Sequence, residues 1–145
     1  MLREFRIDIR ANNDPSVTFA VSRTERKQSD LIGKATLGNV QIDVTGVYAL
    51  AQQSQRSYLR LCFVQVDGAK RAVSYGKLFQ NDRKVEGSRQ PDFTGEITVD
   101  LATKDSLRIA GWQRFDKPGD ESTAYIAISV EEKRAQSPAS ASSPA

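Results

Sequence analysis

Tyr58 with Arg60, then Tyr75 with Lys77 and Phe79, then Trp112 with Arg114, lie two residues apart in segments whose apolar positions also alternate. Each set therefore shares one face of an extended strand. Cations spaced this way can follow phosphates while rings stack on bases, each good stack contributing about 1–3 kcal/mol. Arg83, Lys84 and Arg89 crowd the stretch after Phe79, and Arg26 with Lys27 forms an earlier basic pair. These are the candidate nucleic-acid-binding residues. The same spacing also suits a core, because large aromatics fill interiors more often than they form platforms.

Other chemistries find less support. Asp43, Asp92, Glu96 and Asp100 are the carboxylates that acid–base work or Mg²⁺ binding would need. Glu96, Thr98 and Asp100 alternate with Ile97 and Val99, however, which is the pattern of a solvated sheet face. The chain has no histidine, which removes the commonest general base, neutral metal ligand and pH switch together. Its single Cys62, between Leu61 and Phe63, supports neither an intrachain disulfide nor a cysteine zinc site and reads as a structural thiol. Phosphate-binding glycine loops and a serine nucleophile elbow are absent. The expectation is a non-enzymatic protein without cofactor or metal.

Lysine and arginine number 21 against 18 acidic residues, a net charge of +3, which is basic but far from histone-like. Charges interrupt the apolar pairs of the opening MLREFRIDIR, and no apolar run approaches a membrane span. The expected setting is the cytoplasm of a bacterial host cell, with no membrane partner.

The elements that must position these residues are strands. A chain of 145 residues fits one compact domain or two very small ones. Apolar residues recur with period two in Phe5, Ile7 and Ile9, in Val40, Ile42 and Val44, and in Leu59, Leu61 and Phe63. Further runs cover Val17 to Val21, Ala72 to Phe79, Glu96 to Leu101, Leu107 to Trp112 and Tyr125 to Val130, about eight strands in all. Turn residues separate them, among them Asn12 to Pro15, Asp67 with Gly68, and Lys117 to Asp120. Ala49 to Ser57 lacks an apolar stripe and reads as a long turn. The expected fold is mostly β, a small antiparallel barrel or sandwich of oligonucleotide-binding type.

An internal repeat emerges when the halves are aligned on glycine. Arg26, Lys27, Gly33, Gly46, Tyr48 and Tyr58 correspond in order to Arg83, Lys84, Gly95, Gly111, Trp112 and Tyr125. That suggests β modules at 1–70 and 71–134, packed as one unit, with Tyr48 and Trp112 as equivalent platforms. Residues 135–145 hold only Ala, Gln, Ser and Pro and form a flexible tail.

In PDFTG, Pro91 biases Gln90 toward extended geometry, Asp92 can accept from nearby backbone N–H groups, and Gly95 permits a positive φ or a bulge. Phe93 is expected to plug the core beneath this strand start. Gly76, Leu78, Phe79, Asn81, Arg83, Lys84, Pro91 to Gly95, Trp112 and Tyr125 together resemble a small proteobacterial, plasmid- and phage-associated domain of unknown function. The resemblance covers residues 75–131; the N-terminal half lacks the PDFTG element and has no tryptophan. It implies accessory work in replication or transfer on a mobile element and carries no catalytic residue. The function expected is non-catalytic binding of single-stranded DNA, ahead of RNA. The alternative is a protein-interaction module or inhibitor that engages a host or replication protein through an exposed edge strand or aromatic patch. Self-association through such an edge would give a homodimer.

Overall fold

The computed structural model describes residues 4–51, 56–82, 85, 87–100 and 105–132. Ten strands follow in chain order: β1 (Phe5–Ala11), β2 (Thr18–Ala20), β3 (Arg26–Gln28), β4 (Leu31–Leu37), β5 (Val40–Leu50), β6 (Ser57–Asp67), β7 (Lys70–Gln80), β8 (Phe93–Asp100), β9 (Asp105–Phe115) and β10 (Ala124–Glu132). Eight close into an antiparallel barrel in the order β1-β10-β9-β8-β7-β6-β5-β4, while β2 and β3 pair as a separate hairpin. From β4 onward each strand pairs with its neighbour in the chain, and β1 closes the ring between β10 and β4. The antiparallel barrel was legible in the alternation. Its order is an up-and-down meander, whereas the oligonucleotide-binding barrel is a five-stranded Greek key.

Alternation gives the barrel strands an apolar inside and, on most of them, a polar outside. Ile9, Ile42, Val44, Leu61, Phe63, Leu78, Ile97, Ile109, Ile128 and Val130 are buried in one continuous interior cluster. Phe93 packs against that cluster, as a plug should. Outward positions carry Arg6, Asp8, Lys34, Lys77, Glu96, Arg108 and Glu131, all exposed. This polarity is the reverse of a lipid-facing barrel, whose apolar band points outward. No helix among the described residues is long and apolar enough to cross a membrane.

The two ends differ. At one end, glycine at φ 61° lets Leu37–Val40 and Asp67–Lys70 turn within two residues, through Gly38 and Gly68. The other end carries residues 12–30, which include the β2–β3 hairpin, and the connections 51–56, 81–92 and 116–123. The hairpin folds back on the outside of the wall. There Phe19 and Val47 are 2% and 1% exposed, yet neither belongs to the interior cluster. They form a satellite core that binds β2 to β5.

Both halves of the sequence build one wall. The suggested boundary at residue 70 falls in the β6–β7 hairpin, whose strands pair continuously from Tyr58↔Phe79 to Asp67↔Lys70. The glycines of the apparent repeat all face inward, Gly33 on β4 and Gly46 on β5 against Gly95 on β8 and Gly111 on β9. In ring order β4, β5 and β6 lie opposite β8, β9 and β10. The tail at 135–145 lies outside the described residues.

Candidate nucleic-acid interface

Register places the outward side chains of β6 and β7 side by side. Tyr58 faces Phe79, Arg60 faces Lys77, Cys62 faces Tyr75, Val64 faces Val73 and Val66 faces Arg71. None of these residues is acidic, although the outward faces of β1, β5, β8 and β10 all carry carboxylates. These two strands thus present a stripe of rings, valines and cations. Tyr75 is 57% exposed and Val73 39%.

Within the stripe the rings differ in freedom. Tyr58 and Phe79 stack on each other, with centroids 4.9 Å apart and planes inclined by 20°. The Lys77 ammonium lies 5.7 Å from the Tyr58 centroid. Arg60 reaches the other way: its guanidinium lies 5.5 Å from the Phe19 ring and donates to the Val21 carbonyl at 3.3 Å. Among the described residues, neither Arg60 nor Lys77 has a carboxylate within ion-pair distance. Burial pushes the Cys62 thiol up, while a hydrogen bond with Tyr75 and the charges of Arg26 and Arg71 pull against that rise.

Tyr58, Arg60, Tyr75, Lys77 and Phe79 are therefore brought together on one outer surface, and Arg26 joins them from β3. Arg26 donates to the Thr18 hydroxyl and carbonyl at 2.8 and 3.0 Å, which holds it on the hairpin. Lys27 turns to Asp30 at 3.6 Å. Arg114 belongs elsewhere, in the row Arg114↔Tyr125↔Arg10. Arg10 there covers the Tyr125 ring at 4.4 Å and forms a bidentate pair with Asp116. Arg83 and Lys84 lie outside the described residues.

Trp112 points outward but is half-buried, and its indole N–H donates to the Arg89 carbonyl at 3.0 Å. Its role in this arrangement is to fasten the β7–β8 connection rather than to stand free. Tyr48 sits on the opposite side of the wall, on the inward register with Leu59 at the barrel mouth. The expected equivalence of Tyr48 and Trp112 therefore fails, because the repeat aligned an inward position with an outward one.

The rest of the LFQN and PDFTG segment makes the same clasp. Asn81 donates its side-chain amide to the Pro91 carbonyl at 2.9 Å and its backbone N–H to the Asp92 carbonyl at 2.8 Å. Asp92 accepts from the backbone N–H of Gln113 on β9 at 2.8 Å, a bond that reaches across strands. Gly95 takes neither the positive φ nor the bulge that its sequence permits, pairing in continuous register with Leu78. It is required because a methyl group would run into the Lys77 carbonyl. Asp43 stands on β5, Glu96 on β8 and Asp92 in the connection just before β8, and no group of three or more metal-ligating residues occurs among the described residues.

Sequence reasoning missed Arg71, Cys62, Val64 and Val73 as members of the stripe. The signal was available: carrying period two back from Phe79 through Tyr75 reaches Val73 and Arg71. Compared with protein-family models, curated proteins and solved structures, the chain finds no match.

Proposed function

We propose that this protein binds single-stranded nucleic acid, DNA in preference to RNA, on the outer face of β6 and β7, without catalysis. The observation that supports this reading is the acid-free stripe in which Tyr58, Phe79 and Tyr75 alternate with Arg60, Lys77 and Arg71. A polyanion bearing flat aromatic groups is the ligand such a surface complements, since phosphates meet cations and bases meet rings. Replication or transfer of a phage or plasmid is the setting suggested by the resemblance of residues 75–131.

The test is anisotropy of a labelled oligothymidine titrated with the full chain at two salt concentrations. Binding should weaken with salt, the logarithm of the affinity falling by about 0.7 per decade for each phosphate neutralised. Absence of binding at low salt sinks the reading. Binding to a host or replication protein that is insensitive to salt, with no oligonucleotide binding, would instead assign the valines and rings to a protein interface.

A further inference from the structure

The stripe contains one ring that no other ring covers. Tyr58 and Phe79 are occupied with each other, whereas Tyr75 is 57% exposed and meets its cross-strand neighbour Cys62. Cations approach this spot from two separate elements. Arg71 shares the outward face of β7 with Tyr75, four residues away. Arg26 arrives from β3, whose partner strand β2 lies against β5 and is tied to β6 by the Arg60 guanidinium. The charges of both arginines reach the Cys62 thiol. The hairpin is not needed to close the barrel, whose eight strands form a ring without it.

We infer that Tyr75 is the principal base-stacking platform, with Arg26 of the β2–β3 hairpin and Arg71 taking the flanking phosphates, so that the strand crosses the barrel wall over Cys62. This deepens the proposed function and rests on it. The hairpin becomes the second wall of the binding surface, which gives an external element a reason to carry cations. Bases would be accepted with little sequence preference, because stacking on one exposed ring reads no hydrogen-bonding edge.

Cys62 is the chain's only thiol and so reports on this spot alone. Saturating oligothymidine should slow alkylation of Cys62 by iodoacetamide in the full chain about tenfold or more. Tyr75→Leu should weaken oligothymidine binding about tenfold, within the range of one lost stack, whereas Tyr75→Phe should remain within about twofold of the wild type. Arg26→Gln with Arg71→Gln should reduce the salt slope by about 1.4, the value for two phosphate contacts on a single strand. Unchanged urea midpoints would certify that the variants are folded. Should Tyr75→Leu unfold, protection of Cys62 in the wild type decides the matter. Oligothymidine that binds in a salt-dependent way but leaves Cys62 unprotected overturns this inference and leaves the proposed function standing. Absence of any binding removes both.

Discussion

Gly95 faces inward opposite Leu78, and its α-carbon lies so close to β7 that a methyl group would overlap the Lys77 carbonyl oxygen. Backbone cannot swing aside as a side chain can, so Gly95→Ala should cost about 3 kcal/mol, at the upper end for overpacking. Gly38 makes the contrasting case. Nothing lies near its α-carbon, and its φ of 61° is the whole reason for glycine. Gly38→Ala should cost about 1–2 kcal/mol, the penalty of a left-handed residue. Urea unfolding of the two variants separates close approach from conformational freedom, and equal losses would show that one of the two explanations is misplaced. Both glycines stand out in the sequence, yet only the pairing partner reveals which reason applies. The PDFTG reading offered a positive φ or a bulge for Gly95 because local sequence carries no information about the strand lying alongside.

At the scale of elements, period two located seven of the eight barrel strands, missed β4, whose Leu31–Leu37 alternates weakly, and failed where a second layer was added. The alternation of β5 assigns Val47 to the outside together with Thr45 and Ala49, and the structure agrees about its direction. It is buried all the same, because the hairpin places Phe19 over it. A short run such as Thr18–Ala20 gives no hint that it will pack against the outside of a barrel encoded twenty-odd residues later. The hairpin's attachment therefore depends mainly on one ring. Phe19→Ala should release the hairpin while the barrel persists, because the interior cluster does not include Phe19. Amides of residues 18–28 should then exchange near the rate of free chain, with protection in β6 and β7 retained. Loss of protection throughout the molecule would mean that the satellite core is integral to the barrel. The same variant should weaken oligothymidine binding through the displaced Arg26, which links the stability of this element to the function proposed for it.

For the whole molecule, closure is the property furthest from the sequence, since nothing in β1 announces that it will meet both β10 and β4. It also ties up most of the strand edges through which the protein-interaction alternative could act, leaving that alternative its aromatic patch, the hairpin's own edges and places in the wall. β1 pairs with β10 from Phe5↔Val130 to Arg10↔Tyr125, but with β4 only at Arg10↔Ile32 and Ala11↔Leu31. The rest of β1 thus runs beside β4 as an unladdered seam, which lies toward the tight-turn end. The Asn12 N–H bonds the Asp30 carbonyl, so even-numbered residues of β1 direct their backbone groups toward β4 and odd-numbered ones toward β10. Hydrogen exchange along β1 should consequently alternate. Ile7 and Ile9, bonded within the β10 ladder, should be protected nearly as well as the core, while Arg6 and Asp8 should exchange much faster. Uniform protection from Phe5 to Ile9 would show that the seam is zipped in solution. An alternating pattern would locate a weak line of the barrel on the side opposite β7 and β8, two strands away from β6, so that the wall could loosen there without disturbing the surface proposed to bind nucleic acid.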